Sequence, residues 1–215
     1  MAENIKNKKP IPVKIILVGD SGVGKTSMIS RYLNQYNEHI DSTITTSYYT
    51  KLVTIDDYRL NFQIWDTVGQ EQFRSLNSLF FKDAQICLMV YDITKEESFS
   101  SIKDYWYDAV LANALEGVIF GVAGNKNDLY ENEKVNIEEV RGFSNEINAI
   151  FRFTSAKQNV SIDELFKELG NEFVKSYFMK EFEQEYLDKN NNNGFQLDEN
   201  DKKKKKKNVV KFLFY

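Results

Sequence analysis

From Val13 to Val18 the chain is apolar at five of six positions. Such a run, without polar alternation, marks a central strand buried on both faces. Apolar, β-branched and aromatic-rich runs recur at Tyr48 to Ile55, Leu60 to Trp65, Ile86 to Tyr91, Val118 to Gly124 and Phe151 to Thr154. The stretches between them carry helical spacing, predicting helices over Gly24 to Leu33, Phe99 to Leu115, Ile137 to Asn148 and Ile162 to Leu187. In the last, Ile162, Leu165, Phe166, Leu169, Phe173 and Tyr177 fall three or four residues apart and form one apolar stripe. Strands alternating with helices predict an α/β fold, a sheet covered by helices. Only Asp56, Asp57 and Tyr58 separate the second and third runs, a hairpin spacing that makes one strand antiparallel. The prediction is a six-stranded, mostly parallel sheet flanked by about five helices. The two prolines, Pro10 and Pro12, precede all the helices, so none is interrupted.

The chain has 215 residues, 42% of them hydrophobic and 28% charged. This suits one globular domain and excludes a wholly disordered, collagen-like or coiled-coil protein. Residues 1–10 read as a disordered leader, 11–187 as the domain, and 188–215 as a low-complexity tail with an asparagine run and six consecutive lysines. The net charge of −4 balances a body at −11 against seven lysines and no acid in Lys202 to Tyr215. An acidic body argues against nucleic acid as the main ligand. The single cysteine, Cys87, excludes a disulfide framework and a cysteine-based zinc site, and reads as a small buried hydrophobe. No apolar run reaches the ~18 residues of a membrane span, so a cytoplasmic protein is expected.

The first strand leads directly into Gly19-Asp20-Ser21-Gly22-Val23-Gly24-Lys25-Thr26. This is the G-x-x-x-x-G-K-[ST] pattern in its strand, loop and helix setting. The glycines let backbone N–H groups curl around phosphate oxygens, and the helix that follows adds its positive end. Lys25 supplies a charge for the β- and γ-phosphates, and the Thr26 hydroxyl is a magnesium ligand. Kinases, ATPases and GTPases share this loop, so it does not name the reaction.

Three further runs narrow the choice. Trp65-Asp66-Thr67-Val68-Gly69-Gln70-Glu71 follows the third strand, Asn125-Lys126-Asn127-Asp128 the fifth and Thr154-Ser155-Ala156-Lys157 the sixth. With these four elements in order across Val13 to Tyr177, the sequence resembles the Ras superfamily of small GTPases. Within it, the sequence is most similar to the Rab family. That likeness rests on Phe62-Gln63-Ile64-Trp65, Phe73-Arg74, Phe80-Phe81-Lys82-Asp83-Ala84 and Val90-Tyr91-Asp92-Ile93-Thr94.

The resemblance implies a G domain of P-loop NTPase type and assigns roles to residues. Thr26, Thr43 and Asp66 would hold magnesium, Asp66 through water. Gly69 would approach the γ-phosphate through its N–H, and Gln70 would be the catalytic residue, orienting the attacking water. Ser27, Thr67 and Val68 join the nucleotide-binding set by the same likeness. Asp128 would accept from N1–H and the exocyclic amine of guanine, a pairing that adenine lacks and whose loss strands a buried charge. Asn125 would tie the base loop and Asn127 would accompany it. The Lys126 stem would lie along the ring plane, and the Ala156 N–H, flanked by Ser155 and Lys157, would meet the guanine oxygen. Tyr36 stands where relatives cover guanine with an aromatic ring. His39 reads as a polar loop residue.

The implied function is a GTP-binding switch that hydrolyses GTP to GDP and phosphate, slowly alone. Family likeness places such switches in vesicle trafficking at the cytosolic face of endomembranes, acting as monomers with effectors, exchange factors and GTPase-activating proteins. Two departures temper this. Thr45-Thr46-Ser47-Tyr48 replaces the usual glycine and apolar-acidic-Phe pattern, and Val68 replaces an alanine beside Gly69. These keep open a non-catalytic adaptor held by guanine nucleotide. A nucleoside kinase would need an arginine-rich lid, and none is visible. No cysteine follows Cys87, so no prenyl anchor is expected. The lysine tail reads as low-complexity chain, with weak contact to anionic membrane or a basic nuclear signal as alternatives.

Overall fold

The computed structural model describes residues 9–37, 43, 46–69 and 79–191. The chain divides into two units, Met1–Val174 and Lys175–Tyr215. The first holds the sheet and the candidate site, and the described residues of the second, 175–191, are helical. The predicted leader, apart from Lys9 and Pro10, and the predicted tail from 192 onward lie outside the described residues.

Six strands form one sheet: β1 (Ile11–Val18), β2 (Ser47–Ile55), β3 (Tyr58–Asp66), β4 (Ile86–Asp92), β5 (Ile119–Asn125) and β6 (Ile150–Phe153), in the order β2-β3-β1-β4-β5-β6. Only the β2–β3 pair is antiparallel; β1 pairs in parallel with both β3 and β4, and β4–β5 and β5–β6 are parallel. The two-residue turn Asp56–Asp57 closes the hairpin, with Asp56 at φ 50. The solvent-facing side of β2 explains its polarity. Half-buried and exposed positions alternate along this edge strand up to buried Ile55, whereas every residue of β4 is buried.

Helices cover both faces. On one face, Ile16, Val18, Met89, Tyr91 and Val122 pack with Phe99, Trp106, Val110 and Val140. These come from α2 (Glu96–Ser101), a π-helical turn (Ile102–Trp106), α3 (Tyr107–Leu111) and α4 (Ile137–Glu146). On the other face lie α1 (Lys25–Tyr32) and the first-unit part, up to Val174, of α5 (Ile162–Asn191). There Tyr32 stacks on Phe166 with ring centroids 3.9 Å apart, and Leu169 lies against Leu88 across Gly121. The helix expected over Phe99 to Leu115 begins earlier, at Glu96, and is broken by the π turn. Apolar spacing counts faces; it cannot register one inserted residue.

Register brings the strand ends to one edge. Leu17 lies opposite both Asp66 and Leu88, Asp92 opposite Asn125, and Gly124 opposite Phe153. Loops leaving β1, β3, β4, β5 and β6 therefore open onto a common crevice at the carboxyl ends of parallel strands, where ligands of such sheets bind.

Candidate nucleotide and magnesium site

The loop between β1 and α1 is shaped by what surrounds it. Gly19 has φ 140, and a Cβ there would overlap the Val90 carbonyl oxygen; Gly24 has φ 100, and a Cβ would overlap the Asn125 amide. Only glycine satisfies both the left-handed backbone and the missing space. Lys25 then begins α1 and turns its ammonium back into the loop, donating to the carbonyls of Gly19 at 2.7 Å and Asp20 at 2.9 Å. Burial pushes this lysine down to about 8, against the pull of Asp66 and Asp20. An anion placed beside it would oppose that fall and favour the ammonium form. Asp20 is held from outside by the indole N–H of fully buried Trp106, 3.0 Å away. The π turn thus delivers a donor to the phosphate loop. Ser21 and Gly22 are exposed at the loop's crest, Val23 is buried beneath it, and Ser27 is half-buried in the first turn of α1.

Three oxygens meet at the start of α1. The Thr26 hydroxyl lies 2.6 Å from the Thr43 hydroxyl and donates to Asp66 Oδ2 at 2.6 Å. Asp66 is wholly buried, and its other oxygen, Oδ1, has no hydrogen-bond partner. Burial raises its pKa, while the Thr26 bond and Lys25 oppose the rise. A buried carboxylate oxygen without a partner is costly, and hard oxygen donors of this kind suit magnesium. The residues therefore fit the ion. Among the described residues no cluster of three or more His, Cys, Asp or Glu side chains exists, as expected of a site made from one carboxylate and two hydroxyls.

Beyond Asp66, Thr67 directs its hydroxyl onto the Leu17 carbonyl at 2.6 Å, tying β3 to β1. Val68 is buried. Gly69 is pressed against the phosphate loop: a Cβ would overlap the Lys25 ammonium and sit 2.6 Å from the Asp20 carbonyl. Gln70 lies outside the described residues, as do His39 and Thr45.

The far end of the crevice is a buried polar network. Asn125 donates to the Val23 carbonyl at 2.8 Å, and its Oδ1 accepts from Thr154 Oγ1 and the Ala156 N–H, both at 3.3 Å. One amide thus fixes the phosphate loop to the loop after β6. Lys126 adopts φ 65 and sends its ammonium to Asp92 Oδ2 at 2.7 Å. Burial alone would raise Asp92, but bonds from Lys126 and Thr94 outweigh it and hold the carboxyl low. The Asn127 N–H donates to the Thr154 carbonyl at 3.0 Å, and Asp128 Oδ1 accepts from the Ser155 hydroxyl at 2.5 Å. Ser155 pairs with Val160, closing a tight turn that carries Ala156 and exposed Lys157. Tyr36 is half-buried, with its ring centroid 3.6 Å from the Arg31 guanidinium carbon.

Motif reading overlooked Arg31 and Trp106, and it quoted Asp92 and Thr154 within runs without giving either a role. Asp92 had a signal, since it stands in the Val90 to Thr94 run. Arg31 and Trp106 had none, because in a helical pattern the one reads as a solvent-facing cation and the other as core.

The model of the Ras family matches residues 14–192. The chain is 35% identical over 176 residues to Ras-related protein RabJ of Dictyostelium discoideum, an alignment covering 80% of this chain and 68% of that protein.

Proposed function

The chain belongs to the Ras family and is a Rab-like small GTPase, and from that premise we propose that the crevice is its nucleotide site and that its switching serves intracellular vesicle trafficking. Members of this family bind GTP and hydrolyse it to GDP and phosphate. In this reading the loop from Gly19 to Thr26 cradles the phosphates, with Lys25 neutralising charge on the β- and γ-groups. Thr26, Thr43 and Asp66 would hold magnesium, which would supply charge stabilisation for the phosphates. Gln70 orients the water that attacks the γ-phosphorus, while GDP leaves with its β–γ bridging oxygen. Asp128 and the Ala156 N–H read guanine, and Asn125 and Lys126 hold that loop. The observation that carries the reading is the partnerless Oδ1 of buried Asp66 beside the Thr26 and Thr43 hydroxyls.

The switch follows from where Thr43 and Gly69 stand. Thr43 reaches Thr26 across the site, and Gly69 lies against Lys25, so the terminal phosphate bears on both segments and its loss releases them. Effectors, exchange factors and activating proteins would read that difference. An aromatic strip beside the first switch supports such docking: exposed Tyr48 lies 5.0 Å from Trp65, which lies 5.8 Å from Phe80, measured between ring centroids. Among the described residues no helix is long and apolar enough to cross a membrane. Family membership favours the hydrolysing switch over the adaptor.

Chromatography of the nucleotide released by heating the purified protein tests the reading. GDP or GTP is expected in near-stoichiometric amount, with phosphate release on GTP reloading; bound adenine nucleotide, or bound GTP without turnover, contradicts it.

A further inference from the structure

Arg31 occupies the last turn of α1, the helix whose first residues are Lys25 and Thr26. Its guanidinium makes three contacts with segments distant in sequence or irregular in structure. Nε donates to the Ala156 carbonyl at 2.8 Å and Nη2 to the Lys157 carbonyl at 3.0 Å. Its carbon lies 3.6 Å from the ring centroid of Tyr36, the aromatic at the start of the segment that leads to Thr43. The planar fork makes this possible: two N–H groups lie in one plane for two carbonyls, leaving a face free for an aromatic ring.

We propose that Arg31 is a positioning residue that ties the start of the first switch to the base-binding loop and so governs the release of guanine nucleotide. This rests on the nucleotide reading above. The Ser155 to Val160 turn is closed by its own bridge and belongs to no strand or helix. Asn125 Oδ1 meets the N–H side of Ala156 at 3.3 Å, and the carbonyl side of the same residue has Arg31 as its hold. Arg31 supplies that hold from a helix already anchored in the phosphate site, so α1 binds the phosphate end through its first turn and the base end through its last. Tyr36 stacks on the guanidinium and holds its plane where the fork meets both carbonyls. Displacing the first switch strips the ring away, loosens Ala156 and Lys157, and opens the base end. Tyr36 therefore acts on the nucleotide through Arg31.

Release of N-methylanthraniloyl-GDP from the full chain, chased with excess unlabelled GDP, tests this. Arg31→Ala is expected to release nucleotide about tenfold faster, the effect of losing one to two net hydrogen-bond contributions. Arg31→Lys keeps a charge near Tyr36 but cannot bridge both carbonyls, and retains most of the acceleration. Tyr36→Ala speeds release severalfold in the wild-type background and adds nothing in the Arg31→Ala background, while Tyr36→Phe restores slow release. The Arg31→Ala to wild-type ratio persists when magnesium is chelated, because the contact acts at the base end. Should Arg31→Ala not fold, Arg31→Gln, which can serve only one carbonyl, is expected to be severalfold faster than wild type. Release within twofold of wild type for the folded Arg31 variant, or equal acceleration by Tyr36→Ala in both backgrounds, overturns the proposal. Wild-type protein that never retains the GDP probe overturns the nucleotide reading instead, and this inference with it.

Discussion

Asp66 and Asp92 are both buried carboxylates at strand ends, and their surroundings give them opposite characters. Asp66 keeps an oxygen without a partner, and burial raises its pKa. Asp92 meets Lys126 and Thr94, which hold it low against burial. The first presents an oxygen able to meet a cation; the second is satisfied within the protein and acts by fixing Lys126. Replacing Asp92 with Asn is therefore expected to free the Lys126 side chain and accelerate GDP release several-fold in the same chase assay; an unchanged rate contradicts that role. The substitution also predicts a pH dependence. A carboxyl whose folded pKa lies below its ordinary 3.8 stabilises the fold above that value and loses its contribution as pH falls through the folded one. The melting-temperature gap between wild type and Asp92→Asn should accordingly narrow from pH 7 towards pH 3; a constant gap would contradict the pairing. At this scale the sequence speaks through motifs, and residues outside them are silent. Lys25, Thr26, Asp66, Asn125 and Asp128 stand in recognisable runs. Arg31 lies 125 positions from Ala156, a proximity created only by the fold.

Among the elements, packing decides which glycines tolerate a side chain. Gly170 in α5 and Gly142 in α4 look alike in sequence, each a helix-interior glycine costing about 0.5–1 kcal/mol relative to alanine. A Cβ at Gly170 would overlap Ile55 and sit 2.9 Å from Phe62, whereas one at Gly142 would meet nothing within 4 Å. Gly170→Ala should destabilise by about 1–2 kcal/mol, since overpacking at 1–3 kcal/mol exceeds the propensity gain. Gly142→Ala should stabilise by about 0.5–1 kcal/mol. Thermal melts of the two variants check this, and shifts of the same sign would contradict the packing. The same contrast shows what patterning can reach. Strand β4 is legible because all seven residues are buried, and the β2–β3 hairpin because a short acidic turn splits two apolar runs. The break at Ile102–Trp106 is not legible, since a π turn preserves the apolar face on either side of it. Yet that turn places the Trp106 indole on Asp20.

For the whole molecule, ligand linkage and charge separation set the behaviour. A protein that binds GDP and magnesium only when folded gains about 2.7 kcal/mol at a hundredfold excess over Kd. Its melting temperature should rise by several degrees with both present and fall back when magnesium is chelated. The separation of a body at −11 from a lysine-rich segment at +7 bears on the alternative reading of that segment as a weak anionic-membrane contact, which requires flotation with vesicles containing phosphatidylserine. That flotation should weaken as salt rises and be lost on deleting Lys202 to Tyr215; equal flotation of the deletion variant contradicts it. The strands, the β2–β3 hairpin and the phosphate loop were within reach of the sequence, because periodicity and glycine placement are local properties; the order β2-β3-β1-β4-β5-β6 was not. The ties holding the base end to the phosphate end were not, because Asn125 to Val23 and Arg31 to Ala156 are contacts between elements. The central claim is one crevice that grips guanine nucleotide through magnesium. Competition of unlabelled nucleotides against fluorescent GDP, with magnesium present, tests it most directly: GDP and GTP should displace the probe at micromolar concentration or below while ATP leaves it bound, and displacement by ATP at the same concentration, or no probe binding at all, would contradict the account.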